Sequence, residues 1–319
     1  MRFMLSCLLL FVMGVSSAFA ITAQDVKLQL EARDKKALAS ADALTKAEPK
    51  NAEAWILLTR ARLQANQAEA AIDSAQKAVK LAPNNSQAHF ILGNAYGSRI
   101  GQVNMLSQAS MSSKIRDAFE KAVALDPNNL DAREGLVQFY LQAPSMFGGS
   151  VDKANMQANE IAKRDVVRGH LVRAQVFMSQ KNNAAAMKSY EAAYAAKPSD
   201  KNIRMAVGIG YQMTERWSDA FKLFRTWVSQ DEKAGVAWYQ LGRTSAMSGL
   251  QIEEGIAALQ KYLHMPHAAN EPQNKNAYHR LGQLYAKAGK TLEAKAALQA
   301  ALKLDPKFAD AKTELGKLK

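Results

Sequence analysis

Apolar side chains recur along the chain at spacings of three and four, in stretches broken by short polar segments carrying Pro, Gly or Asn. That is the pattern of amphipathic helices rather than strands. The most regular stretch is Lys275–Pro306. Tyr278, Leu281, Gly282 and Tyr285 fall on one stripe, Ala294, Leu298 and Ala301 on a second, and Pro306 closes the second. This order predicts two antiparallel helices. Bulky residues pack the first, small alanines let the second approach closely, and Pro ends it because it has no N–H to donate and its ring crowds the preceding turn.

The same frame recurs upstream. Trp55, Leu58, Ala71, Ala78 and Pro83 repeat it, with Thr59 in the Gly position and Arg62 in the Tyr position, and Pro49 to Pro83 is a step of 34 residues. His89, Leu92, Gly93 and Tyr96 open the next unit, and Phe119, Ala122 and Pro127 close it after a step of 44 residues. The extra residues fall within Gly97 to Lys114 and are read as a prolonged helix or a loop. Leu136 and Tyr140 begin another first helix, which Ala143-Pro144 stops. A turn through residues 144–150 then leads into a second helix containing Ala154, Ala158 and Ile161, with Ser150 as its N-cap.

Leu171, Ala174, Phe177, Ala186, Tyr190, Ala193 and Pro198 form a further unit. Val207, Gly208, Tyr211, Ala220 and Phe224 form the next, with Trp227 in place of a small residue. Trp238, Leu241, Gly242, Gly255, Leu259 and Tyr262 precede a polar linker from His264 to Asn274. Asp25 to Lys46 reads as an N-terminal cap whose first helix is short, and Ala309 to Leu318 as a lone helix with a Lys-rich exposed side.

The frame closely resembles the tetratricopeptide repeat, whose period is about 34 residues. The resemblance spans essentially all of the chain after residue 20. It implies an all-α fold: a right-handed superhelical solenoid of antiparallel helix pairs, about seven to eight units. The units fall near 22–51, 52–85, 86–129, 130–166, 167–200, 201–234, 235–274 and 275–308, with a capping helix at 309–319. It also implies a protein-binding role, with the first helices lining a concave face.

Carried onto this sequence, the outward position after the Leu-Gly pair is Arg60, Asn94, Gln138, Gln175, Ile209, Arg243 and Gln283. The neighbouring positions contribute Phe90, Leu141, Leu171, Met178, Met205, Met213, Tyr239 and Met247. Amides and guanidinium groups suit an extended backbone or an acidic group, and methionine surfaces adapt to varied apolar partners. For Met178 and Met205, filling the core between repeats is an equal alternative. The two-carboxylate clamp of chaperone-binding members is not matched, so a C-terminal carboxylate ligand is not implied.

Composition sharpens the picture at one end. Arg2 precedes an apolar run from Phe3 to Val15 and then Ala18-Phe19-Ala20. Together these read as a secretory signal peptide, residues 1–20, cleaved after Ala20. The apolar run is shorter than the roughly 17–25 residues that span a bilayer. The expectation is an exported bacterial protein of the periplasm. Cys7, the only cysteine, lies inside the signal, leaving no thiol or disulfide beyond it. The chain carries 42 basic and 29 acidic residues, a formal charge of +13, or +12 once Arg2 is gone. The basic residues are spread rather than gathered in runs, which fits general solubility. Contact with an anionic membrane surface or cell-wall polymer is the alternative. No nucleic-acid-reading motif is present.

Candidate chemistry is sparse. Ala288-Gly289-Lys290-Thr291 imitates the end of a phosphate-binding loop, but the required earlier Gly is Leu284, so the segment reads as the turn between paired helices. Ser150-Val151-Asp152-Lys153 matches Ser-x-x-Lys without the partner motifs of penicillin-recognising enzymes, and capping accounts for Ser150. His264 and His267 could hold copper, yet no further ligand lies near them in the sequence, and a helix end stopped by Pro266 is the favoured explanation. No catalytic, metal or cofactor residue is assigned. The expected function is a non-enzymatic scaffold for a peptide or helix of a cell-envelope protein, with binding to an anionic surface second and an enzyme with an unrecognised site last.

Overall fold

A computed structural model describes residues 21–266 and 271–318. The segment read as a signal peptide, with Cys7, and also His267, lie outside the described residues. Among the described residues there are 17 α-helices and no strand.

The helices come in consecutive pairs. They are α1 (Ala23–Glu31) and α2 (Ala37–Ala47), α3 (Ala52–Gln64) and α4 (Ala68–Leu81), α5 (Ser86–Arg99) and α6 (Met105–Leu125), α7 (Leu130–Gln142) and α8 (Val151–Ala162). There follow α9 (Val166–Ser179) and α10 (Asn183–Ala196), α11 (Lys201–Met213) and α12 (Trp217–Gln230), α13 (Gly235–Ser248) and α14 (Ile252–Leu263), α15 (Asn274–Lys287) and α16 (Thr291–Leu304). A single helix, α17 (Ala309–Lys317), closes the array. Each helix packs on its neighbours in sequence, and most first helices also touch the next first helix. This is the nearest-neighbour architecture of an all-α repeat solenoid.

Local chemistry marks the helix ends. Five consecutive first helices, α3, α5, α7, α9 and α11, start at Asn51, Asn85, Asn129, Asp165 and Asp200, whose side chains accept from backbone N–H groups of the first turn. Thr22 and Asp25 form a reciprocal capping box on α1. The ordinary turn within a pair uses one residue in the left-handed region: Arg33, Asn66, Lys181, Glu215 and, in the regular C-terminal unit, Gly289. The Gly-Lys of 289–290 is therefore a helix-helix turn.

The two units with extra residues depart from that turn. The first passes through a 3₁₀ turn, Ile100–Gln102, and then enters α6, which runs for 21 residues where α4, α10, α12 and α16 run for 14. The insertion is thus mostly a second helix prolonged at its N-terminus. The other passes through Ser145–Phe147, also 3₁₀, with Gly148 at φ 101°. A Cβ on Gly149 would lie 1.8 Å from the Ala143 carbonyl oxygen, so only glycine fits there. Ser150 then caps α8, accepting from the Lys153 N–H at 3.3 Å.

Fully buried alanines line the second helices, among them Ala78, Ala122, Ala193 and Ala301, and allow the close approach that the repeat needs. At the equivalent place in α12 stands Trp227, fully buried in the largest core cluster with Phe221, Phe224 and Tyr211, and with the Arg204 guanidinium over its ring at 5.7 Å. This bulk accompanies a change in stacking. Successive first helices touch from α1 to α9 and again from α13 to α17, but α9 against α11 and α11 against α13 make at most slight backbone approach.

Candidate functional site

Several of the amide and arginine positions on the first helices bond to side chains of the next or preceding unit. Gln138 on α7 donates to Gln175 on α9 at 2.6 Å and accepts from Gln142 at 3.1 Å. Gln283 on α15 donates to Glu314 on α17 at 2.6 Å and accepts from Arg280 at 2.8 Å. Arg60 is exposed, while Asn94 is half-buried.

Between α11 and α13 the same ladder is buried. Gln212 is fully buried and donates to Thr244 Oγ1 at 2.9 Å and to the Gln240 side chain at 3.2 Å, and it accepts from Arg243 Nη1. Long polar side chains therefore bridge the gap where the helix backbones stand apart. Arg243 is half-buried, and no carboxylate pairs with it among the described residues. Burial, and secondarily the neighbouring Arg280, lower its pKa from the ordinary guanidinium value. A guanidinium stays charged regardless, so this part of the inner face carries a half-desolvated cation with amide partners alone.

The apolar positions divide. Met213 is 57% and Met247 38% exposed, and both remain on the surface. Met178 and Ile209 are half-buried. Tyr239 is buried, its ring 5.4 Å from that of Tyr262, so its side chain belongs to the core. Phe90 and Met205 are half-buried and pack on Phe119, at 6.0 Å, and on the Trp227 cluster, which for Met205 is the core alternative. Leu141 and Leu171 likewise pack against core clusters.

The two departures from the regular turn meet. A pocket of about 480 Å³ lies between α5, α6 and α7. Ile100, Gln108 and Ser112 enter it from the first insertion, Pro144 and Phe147 from the second, and Asn94 and Gln138 from the inner face. Phe119 and Phe139 form apolar wall, and no charged side chain lines it. Ser112 is fully buried, and its Oγ has no hydrogen-bond partner. The long turns point to this region in the sequence. Phe119 is visible in the sequence only as a residue of the repeat frame and Ser112 not at all, because what places them at the pocket is the neighbour they meet one unit later.

Elsewhere the helices are tied by tyrosines. Tyr140 donates to Glu120 at 3.0 Å and Tyr211 to Glu191 at 3.2 Å, in each case from a first helix back to the preceding second helix. Tyr96 and Tyr285 accept from Gln76 and Gln260 at the corresponding places. Burial first, and then the adjacent Glu120 or Glu191, push the Tyr140 and Tyr211 phenols up to about 12. Among the described residues, no three His, Cys, Asp or Glu side chains are grouped to hold a metal. His264 Nδ1 lies 2.7 Å from the Gln260 carbonyl oxygen at the end of α14. No described helix is long and apolar enough to cross a membrane.

Stacked helix pairs, an inner polar ladder and a lone closing helix define a repeat solenoid of the interaction-scaffold class. A family model for the tetratricopeptide repeat matches residues 276–308, and a second of the same description matches 35–86, 58–96 and 146–201. The chain belongs to the tetratricopeptide repeat proteins, whose repeats build protein–protein interaction scaffolds. Solved structures share the fold at low identity. One is the Cut9–Hcn1 hetero-tetramer of the APC/C, at 16% identity and a TM-score of 0.52, covering 93% of this chain and 54% of that one. This chain thus spans about half the length of that relative. A tetratricopeptide repeat protein from Parabacteroides merdae is similar at 14% identity and 0.52, covering 83% of this chain and 97% of its own. A thermophilic repeat protein of Thermus thermophilus is similar at 17% and 0.52, covering 59% and 98%. No curated protein matches the sequence.

Proposed function

We propose that the protein is a non-catalytic scaffold of the bacterial periplasm, reached by cleavage after Ala20, which holds a peptide or helix of an envelope protein along its inner face. The observation that carries this reading is Arg243. Removing a cation from water is costly unless a counter-charge or several hydrogen bonds compensate it. Here amides alone hold the guanidinium in place, and Arg280 adds like charge nearby. An acidic side chain on the bound segment supplies the missing counter-charge, while exposed Met213 and Met247 cover its apolar side chains.

The test is site-specific photo-crosslinking in cells from Met213 and Met247, with Leu292 on the second-helix layer as a control. One partner recovered from both inner positions, absent from the control and lost with Arg243→Glu, supports the reading. Equal recovery from all three positions counts against it. Sedimentation with anionic vesicles and cell wall across a salt series tests binding by net positive charge instead. Such binding vanishes at high salt.

A further inference from the structure

We propose that a pocket between α15 and α17 receives a second acidic side chain of the bound segment, about three residues from the one that meets Arg243. The occupant is thus a diacidic peptide lying across α13, α15 and α17. The proposal rests on the scaffold reading for the segment, and on the pocket's own charge for what it receives. The pocket holds about 360 Å³, and Arg280, Lys287 and Lys317 line it against a single carboxylate, Glu314. That carboxylate is already engaged. One of its oxygens accepts from Gln283 at 2.6 Å and the other lies 2.9 Å from His279 Nε2.

None of the three cations forms an ion pair among the described residues. Lys287 and Lys317 are exposed and stand in the last turns of their helices, where the helix dipole by itself favours a cation. Arg280 has no such reason. It sits in the middle of α15, half-buried, and among the described residues its guanidinium donates only to the Gln283 side chain, at 2.8 Å. Arg168 and Arg216, half-buried as well, each hold two carboxylates. Arg280 is also near enough to Arg243 to act on it as a like charge. A carboxylate entering beside them gains charge-assisted hydrogen bonds that a neutral amide of the same shape does not.

The cations follow the first helices in order, with Arg243 on α13, Arg280 and Lys287 on α15, and Lys317 on α17. Packed helices lie roughly 8–10 Å apart and an extended chain advances about 3.3 Å per residue, so one helix step is about three residues. A peptide can follow such a row into a recess. A planar layer of anionic headgroups meets only its rim.

The test titrates the purified protein with dye-labelled synthetic peptides of one Ala-Gly-Leu background, followed by fluorescence anisotropy. They carry two Glu about three residues apart, one Glu at either place, or Gln at both. The diacidic peptide is expected to bind about tenfold tighter than either monoacidic one, with the Gln peptide weakest. Lys287→Glu with Lys317→Glu brings the diacidic peptide to the monoacidic level with an unchanged melting temperature, since both lysines are exposed. If that pair fails to fold, Lys287→Gln with Lys317→Gln replaces it. Lys261→Glu with Lys303→Glu makes the same change of charge at exposed positions of α14 and α16, and leaves the diacidic preference intact. Equal binding of the Gln peptide, no loss in the pocket pair, or an equal loss in the control pair overturns the proposal. So does displacement of the diacidic peptide by inorganic phosphate at matching concentration, which marks a site for free anions. Sedimentation with phosphatidylglycerol vesicles that the pocket pair abolishes, without a diacidic preference, overturns it in favour of an anionic surface. The peptides need no native partner. A failed crosslink from Met213 and Met247 with the diacidic preference retained therefore counts against the scaffold reading alone, and a recovered crosslink without that preference against this proposal alone.

Discussion

The Phe119 ring occupies the space that a side chain on Gly135 would need, its Cε1 lying 2.7 Å from where that Cβ would be. Gly93 stands in the same relation on the neighbouring helix, at 2.6 Å. One ring from α6 is thus received by glycines of α5 and α7, and it walls the pocket at the same time. Gly135→Ala is expected to destabilise the protein by about 1–3 kcal/mol, because overpacking outweighs the gain in helix propensity. Adding Phe119→Leu recovers part of the loss. Denaturant midpoints of the two single variants and the double variant measure the coupling.

The buried ladder between α11 and α13 gives a second expectation. Gln212→Leu removes the group that bonds Thr244, Gln240 and Arg243 together, and leaves buried polar atoms unmet. The cost is about 1–3 kcal/mol. A cycle with Thr244→Val, which removes one of those partners, yields a coupling of about 0.5–3 kcal/mol by equilibrium unfolding. Additive effects would show that the two side chains act independently.

Alkaline pH acts through the tyrosines. Both Tyr140 and Tyr211 are raised to about 12 in the folded chain, against about 10 for an exposed phenol, so the folded state holds these protons more tightly. Their contribution is fully present below pH of about 10 and is lost as pH rises toward about 12. Stability should therefore decline over that window, and the decline should be shallower in Tyr140→Phe and Tyr211→Phe. Phenolate absorbance followed beside helix content checks the assignment.

The closing helix is the fourth case. Ala311 on α17 packs with Leu298 and Ala301, and Glu314 accepts from Gln283 and lies 2.9 Å from His279 Nε2. Deleting residues 309–319 exposes Leu298, a loss of about 1.5–3 kcal/mol for that side chain alone. Hydrogen exchange should show protection falling first in α15 and α16 and little change in α3 and α4, since each unit depends chiefly on its neighbours.

Much of the fold was legible because the frame is local. Tyr285, Gly282, Ala294 and Pro306 declare a helix pair by type and spacing, and Ser150 declares the start of α8, whereas the caps at Asn51 and Asp200 were seen only in the structure. The inner face was legible only in part. Met213 and Met247 are exposed whereas Tyr239 is buried, because a stripe fixes the side of a helix but not how deeply the next unit covers it. The 97–114 and 144–150 turns stood out as departures. Their meeting could not be read, since stacking alone brings Ser112 and Phe147 to one pocket across a unit boundary. Trp227 was visible as an odd residue, but the wider spacing that accompanies it belongs to tertiary packing.

That wider spacing divides the labour of stacking. Where first helices touch directly, backbone approach sets their separation; between α11 and α13 the hydrogen bonds of Gln212 with Thr244, Gln240 and Arg243 span the distance, while Trp227 and its neighbours on α12 fill the apolar volume beneath them. The separation of these two helices is thus fixed by the length of polar side chains together with the bulk of one indole.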